Sequence, residues 1–99
     1  MSSDFSGKVA IVSGAAAGIS RVILTRLAEA GAKTVIADID DEWGASTARD
    51  LTARGLEAHY SRTDVRDSSQ VNRTVEEAVE RFGRVDILIH GAGVGVHKD

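Results

Sequence analysis

The chain has 99 residues and a formal net charge of −3, from 12 basic and 15 acidic side chains. This length predicts one domain over residues 1–99, and the charge balance gives no reason to expect nucleic acid or an anionic membrane as a partner. The absence of cysteine excludes disulfides and thiolate metal sites. The apolar runs are shorter than the ~18 residues of a membrane-spanning helix. The polar start Met1–Lys8 lacks the pattern of a secretory signal, so the expected location is the cytoplasm.

Short β-branched runs alternate with helical patterns along the chain. The pattern predicts strands at 8–13, 33–39, 56–60 and 84–90, and helices at 19–30, 41–54 and from Asp67–Ser68 to Gly83. Strands that alternate with helices of this length favour parallel βαβ units. The prediction is therefore an α/β fold with a doubly wound parallel sheet. Ligands bind such sheets at the carboxyl ends of the strands, here between the first and fourth strands.

The turn after the first predicted strand is rich in glycine and alanine. It runs Gly14-Ala15-Ala16-Ala17-Gly18-Ile19-Ser20. Two glycines let backbone N–H groups approach a phosphate, and the dipole of the following helix favours an anion at its start. A plain tight turn has the same composition, so this motif alone leaves both interpretations open.

Asp38 ends the second predicted strand. In dinucleotide-binding sheets an acidic residue at this place accepts hydrogen bonds from the adenosine ribose hydroxyls. A carboxylate would repel a 2′-phosphate, and neither Ala17 nor Ile39 is basic, so NAD is favoured over NADP. The alternative is that Asp38 belongs only to a cluster that caps the next helix, together with Asp40 and Asp41.

Three further segments, taken in their order along the chain, support the prediction of a dinucleotide-binding site. They are Ser13-Gly14-x-x-x-Gly18-Ile19, Asp64-Val65 and Asp86-Ile87-Leu88-Ile89-His90-Gly91-Ala92-Gly93. In this order and spacing they resemble the cofactor turn, the adenine-contacting Asp and the strand-four segment of the short-chain dehydrogenase/reductase family. The resemblance covers the chain from about Phe5 to Val94.

The resemblance implies the first half of a Rossmann-type domain, βαβαβαβ, with sheet order 3-2-1-4. It also implies the cofactor-binding portion of an NAD-dependent oxidoreductase that transfers hydride between an alcohol or carbonyl substrate and the nicotinamide. A homo-oligomer is expected. The 99-residue chain alone should be either oligomeric through its fourth strand or partly unfolded, because that strand would present an apolar edge with no fifth strand in this sequence. The implied cofactor-binding residues are Gly14, Ala17, Gly18, Ile19, Ser20, Asp38, Ile39, Asp64, Val65, His90, Gly91 and Ala92.

Two departures from the family pattern lie within these motifs. Ser20 stands where the family has its third glycine, so its side chain either crowds the pyrophosphate or donates a hydrogen bond to it. His90-Gly91 replaces an Asn-Asn pair, which predicts weaker hydrogen bonding at the end of the fourth strand.

The family's catalytic residues have no counterpart in this sequence. The resemblance implies a Ser, a Tyr and a Lys, the last two spaced Tyr-x-x-x-Lys, but Tyr60 is followed four positions later by Asp64. No catalytic residue is therefore assigned, the histidines show no metal-ligand spacing, and it stays open whether this chain is itself an enzyme. The alternatives are a non-catalytic dinucleotide-binding or interaction protein and an inactive truncated product.

Overall fold

The computed structural model describes residues 4–14 and 18–90. The elements are β1 (Val9–Ser13), α1 (Gly18–Glu29), β2 (Lys33–Asp38), α2 (Asp41–Ala53), β3 (Ala58–Arg62), α3 (Ser68–Phe82) and β4 (Ile87–His90). The strands form one parallel sheet in the order β3-β2-β1-β4. The α/β fold and the sheet order 3-2-1-4 predicted from the sequence are therefore confirmed.

The third and fourth strands begin later in the chain than predicted. The turn after α2 extends through Leu56, whose N–H donates to the carbonyl of Leu51 at 3.0 Å, so β3 starts at Ala58. Before β4, Asp86 accepts the N–H of Val9 on its carboxylate at 2.9 Å. Its own N–H donates to the Val9 carbonyl at 2.8 Å. This pair joins the segment before β4 to the start of β1.

The core lies on both faces of the sheet because successive strand residues point in opposite directions. On one face, Val12 and Ile36 pack against Leu24 of α1 and Leu51 of α2. On the other face, Ile11, Val35 and Ala37 pack against Ala78 of α3. All five residues of β1 are buried. The continuous apolar run of this strand thus reflects its coverage on both sides.

The β4 strand lies at one end of the sheet and pairs with β1. Its residues alternate between half-buried and exposed. Leu88 is 61% exposed, whereas Ile89 packs against the α1–α2 side of the core. Within the described part of the chain, no helix has the length and apolar character needed to cross a bilayer.

Candidate functional site

The carboxyl ends of the four parallel strands meet at one edge of the sheet. The register places Ser13 of β1 opposite Ala37 of β2 on one side and opposite His90 of β4 on the other. Gly14 follows with φ +66°, a backbone conformation that glycine adopts without strain. Its N–H donates to the Ala37 carbonyl at 3.3 Å. Gly14 therefore bonds the end of β1 to the end of β2.

Asp38 lies at this edge, at the end of β2, and is 8% exposed. Its carboxylate Oδ1 accepts the N–H of Asp40 at 2.9 Å. A carboxylate offers about four acceptor positions, and this bond uses one of them. The side chain of Asp40 caps α2 instead, accepting the N–H of Trp43 at 3.0 Å. The acidic cluster thus divides into a helix cap at Asp40 and a separate strand-end carboxylate at Asp38.

Asp64 follows β3 and is paired with a cation. The guanidinium of Arg66 donates to Oδ1 and to Oδ2 of Asp64, both at 3.1 Å. The N–H of Arg66 donates to Oδ1 at 3.0 Å. The hydrogen bonds from Arg66 lower the pKa of Asp64 below its ordinary value. The carboxylate charge of Asp64 is therefore largely offset by its neighbour.

A cavity of about 180 Å³ opens between α3 and the ends of the strands. Its lining is mainly apolar and includes Val65, Val71 and Leu88, and its polar residues are Ser13, Thr63, Thr74 and His90. The sequence-predicted residues Val65 and His90 thus line the same cavity. A mainly apolar space with a few polar groups suits a heterocyclic base.

His90 ties the end of β4 to β1. Its Nδ1 lies 2.9 Å from the hydroxyl oxygen of Ser13, and that hydroxyl is also 3.4 Å from the carbonyl oxygen of Ile89. The imidazole therefore contributes a side-chain bond between the strands at the position where the sequence departs from the family pattern.

The remaining predicted residues occupy different environments. Ser20 is 1% exposed, so it lies within the contact between α1 and the sheet, where the third glycine of the fingerprint normally allows close packing. Ile19 and Ile39 are 77% and 51% exposed. Gly18 begins α1. Ala17, Gly91 and Ala92 lie outside the described residues.

Two contributors at this edge were missed by the sequence reasoning. Gln70 accepts the N–H of Asp64 on Oε1 at 2.8 Å and donates from Nε2 to the α3 cap Asp67 at 3.2 Å. Its position three residues after an N-cap is the place where a capping-box side chain occurs, so a signal was present. The Tyr60 hydroxyl, 2.9 Å from the carbonyl oxygen of Asp38, had no such signal.

Comparison with known proteins identifies the class. A family profile described as short chain dehydrogenase matches residues 8–99. An uncharacterized oxidoreductase of Thermotoga maritima is 43% identical over 88 residues, which are 89% of this chain and 34% of that protein. A 2,5-dichloro-2,5-cyclohexadiene-1,4-diol dehydrogenase of Sphingobium indicum is 36% identical over 94 residues, 95% of this chain and 38% of that protein. The crystal structure of a hydroxysteroid dehydrogenase from Escherichia coli superposes with a TM-score of 0.86 at 32% identity, over 93% of this chain and 39% of that one.

The parallel sheet and its strand order define half of a doubly wound nucleotide-binding fold. The chain belongs to the short-chain dehydrogenase/reductase family, a family of oxidoreductases. It spans about a third of the length of the relatives that it matches. The family and the fold imply a nicotinamide dinucleotide cofactor. The strand-end carboxylate of Asp38 and the apolar cavity beside Val65 have the chemistry that the adenosine half of such a cofactor requires.

Proposed function

We propose that this chain forms the NAD-binding part of a short-chain oxidoreductase that acts on an alcohol or the corresponding carbonyl compound. Asp38 carries the proposal, because it is an acidic side chain at the end of β2 whose carboxylate is bonded to a neutral peptide N–H. Such a carboxylate keeps its negative charge and accepts hydrogen bonds from the two ribose hydroxyls of the adenosine. The same charge opposes the 2′-phosphate of NADP.

The rest of the adenosine half would lie at the same edge of the sheet as Asp38. The adenine would enter the apolar cavity beside Val65, at the end of the sheet where α3 begins. The pyrophosphate would lie over Gly14 and the start of α1, whose N–H groups and dipole favour an anion. Exposed Ile19 and Ile39 offer apolar surface at the same edge of the sheet.

The nicotinamide, when bound, accepts or donates the hydride. Residues of this chain bind and orient the cofactor, and the proton exchange needs a Tyr–Lys pair that the sequence does not contain. An alcohol or carbonyl substrate is supported by the relatives, which include enzymes named as a diol dehydrogenase and a hydroxysteroid dehydrogenase.

Titration calorimetry of the complete protein with NAD and with NADP tests this proposal. The unmodified protein should bind NAD more tightly. Asp38→Ala should weaken NAD binding by about 10- to 100-fold, since each hydrogen bond to a charged group contributes about 1.5–3 kcal/mol and 1.4 kcal/mol corresponds to a factor of ten. The same substitution should reduce the difference between the affinity for NAD and the affinity for NADP.

Asp50→Ala is the matched control, because it removes an equal charge from an exposed position on α2. It should leave both affinities unchanged. Equal binding of NAD and NADP by the unmodified protein would contradict the assignment of NAD. Tight NAD binding without reduction of NAD by any of a panel of secondary alcohols would instead favour a non-catalytic dinucleotide-binding protein.

A further inference from the structure

Tyr60 reaches from β3 to the segment that presents Asp38. Its hydroxyl lies 2.9 Å from the carbonyl oxygen of Asp38 and 2.7 Å from Oδ1 of Asp41. A phenol has only one proton to donate, and the hydroxyl shares it between two acceptors, one at the end of β2 and one in the first turn of α2. The segment 38–41 is thereby held at both ends by one side chain of the neighbouring strand.

The phenol ring of Tyr60 packs into a space next to α2 that is open because residue 44 is glycine. Gly44 lies in α2, and a methyl group added there would overlap the ring of Tyr60. Glycine inside a helix costs about 1 kcal/mol relative to alanine. The helix thus carries a less favourable residue at the one position where the ring needs the space.

Asp41 contacts both the Tyr60 hydroxyl and Arg62, the cation beside Asp38. Its Oδ2 lies 3.4 Å from Nε of Arg62, and Arg62 is the residue that faces Asp38 in the register of β2 and β3. The arginine next to the strand-end carboxylate is therefore directed toward Asp41. Burial and the nearby Asp41 carboxylate raise the pKa of Tyr60 above its ordinary value, so the hydroxyl remains a proton donor at neutral pH.

We propose that Tyr60 is a positioning residue for Asp38, and that through the Asp38 carbonyl and Asp41 it sets the discrimination between NAD and NADP. The inference rests on the proposed function and extends it to a residue that does not touch the cofactor. Without the phenol hydroxyl, the Asp38 carbonyl keeps its bond from the Thr63 N–H at 3.0 Å but loses its link to Asp41. The turn after β2 then holds the Asp38 carboxylate less firmly against the ribose. Both the ribose bonds and the repulsion of a 2′-phosphate then weaken together.

A packing role alone makes a different prediction. The ring of Tyr60 contacts the core on the α1–α2 face of the sheet, so its loss would lower stability whatever it does for Asp38. Tyr60→Phe keeps the ring and removes only the hydroxyl. Under a packing role, this substitution changes the thermal midpoint and leaves the ratio of the two cofactor affinities as it was.

Thr34→Val is the matched control for a lost hydroxyl between β2 and β3. The Thr34 hydroxyl donates to the carbonyl of Glu57 at 3.0 Å, at the start of the same strand pair and far along β2 from Asp38. Valine has nearly the shape of threonine. The control therefore removes one bridge of the same kind without touching the turn after β2.

The experiment measures the affinity of the complete protein for NAD and for NADP by calorimetry, and its thermal midpoint without cofactor. Tyr60→Phe should weaken NAD binding about 5- to 20-fold and change NADP binding less than threefold, so that the ratio falls. Gly44→Ala, which displaces the ring but keeps the hydroxyl, should lower the ratio in the same direction. Thr34→Val should lower the midpoint and keep the ratio.

The outcomes separate the two proposals. If the unmodified protein does not prefer NAD, or if Asp38→Ala leaves the ratio unchanged, the proposed function and this inference both fail. If Asp38→Ala collapses the ratio while Tyr60→Phe and Gly44→Ala leave it within twofold of the unmodified protein, the proposed function stands and the positioning role of Tyr60 is overturned.

Discussion

The turns after β2 and after β3 are built from similar residues but differ in charge. Each has an acidic residue close to the strand end, Asp38 or Asp64, and each is followed by an aspartate that caps the next helix. The Asp38 carboxylate accepts a peptide N–H, whereas the Asp64 carboxylate accepts the guanidinium of Arg66. The strand-end carboxylate of the first turn is therefore bonded to a neutral group, while Arg62 pairs with Asp41 of that turn. The strand-end carboxylate of the second turn is itself paired with a cation.

Under the proposed function, this difference gives the two aspartates different roles. A neutral N–H orients a carboxylate without cancelling its charge, so the proposal has Asp38 accept the ribose hydroxyls and repel a 2′-phosphate. The Asp64 carboxylate, by contrast, accepts three hydrogen bonds from Arg66, which use most of its about four acceptor positions. The proposed function therefore assigns the choice between dinucleotides to Asp38, whereas Asp64 is bonded within its own turn, next to the cavity beside Val65.

The largest expected contrast is between Asp38→Asn and Asp64→Asn. The amide at position 38 keeps the size of the side chain but loses its charge, and we expect the NAD-to-NADP affinity ratio to fall at least tenfold. The amide at position 64 removes a charge that Arg66 already offsets, and the ratio should change less than threefold. Parallel calorimetric titrations of the two variants check this. Equal effects of the two substitutions on the NAD-to-NADP affinity ratio would contradict the different roles assigned to Asp38 and Asp64.

The helix caps give the next largest effect, on stability. Asp40→Ala and Asp67→Ala each remove an N-cap and should each lower the free energy of unfolding by about 1 kcal/mol. Asp67→Ala should cost somewhat more, because this carboxylate also accepts the hydroxyl of Ser69 at 2.7 Å and Nε2 of Gln70 at 3.2 Å. Denaturant unfolding without cofactor measures both. A larger loss for Asp40→Ala would contradict this order, and exposed Asp50→Ala should be neutral.

The smallest expected effect is on how the free energy of unfolding depends on pH in the acid range. Because Arg66 lowers the pKa of Asp64 below 3.8 in the folded chain, the pair contributes stability above pH 3.8. That contribution is lost as the pH falls through the lowered folded pKa. Arg66→Ala should return the pKa of Asp64 toward 3.8 and change stability at neutral pH little, because exposed pairs are screened by solvent. A carbon-13 titration of the carboxyl group measures this, and an unchanged pKa would show that Arg66 is not the cause.

The parallel sheet, the place of Asp38 and the break at Gly83 could be predicted from local sequence pattern, and the sheet order could be predicted from the resemblance to the family. Alternating strands and helices favour parallel crossovers, and an acidic residue at a strand end has a fixed place in such a sheet. The start of β3 could not, because Leu56 resembles a strand residue in composition but bonds back to α2.

The contact of Tyr60 with Asp38 was also beyond prediction. It joins a side chain to a main-chain carbonyl 22 positions away. The ring lies in a space that depends on Gly44, and no local pattern encodes such a fit. The ion pair between Asp64 and Arg66 depends on the rotamer of an exposed arginine, and the spacing of the two residues does not specify that rotamer. Sequence patterns thus located both carboxylates but did not distinguish their electrostatic states.

The most direct test of the central claim is an amide chemical-shift map of the complete, isotope-labelled protein on addition of NAD and then of NADP. We expect NAD to shift the amide resonances of four residues at the carboxyl ends of the strands, Gly14, Asp38, Asp40 and Val65. NADP at the same concentration should shift these resonances less. Lys33 and Gly83, at the opposite edge of the sheet, should not move. Saturable NAD binding that leaves the amides of Asp38 and Asp40 unshifted would contradict the account.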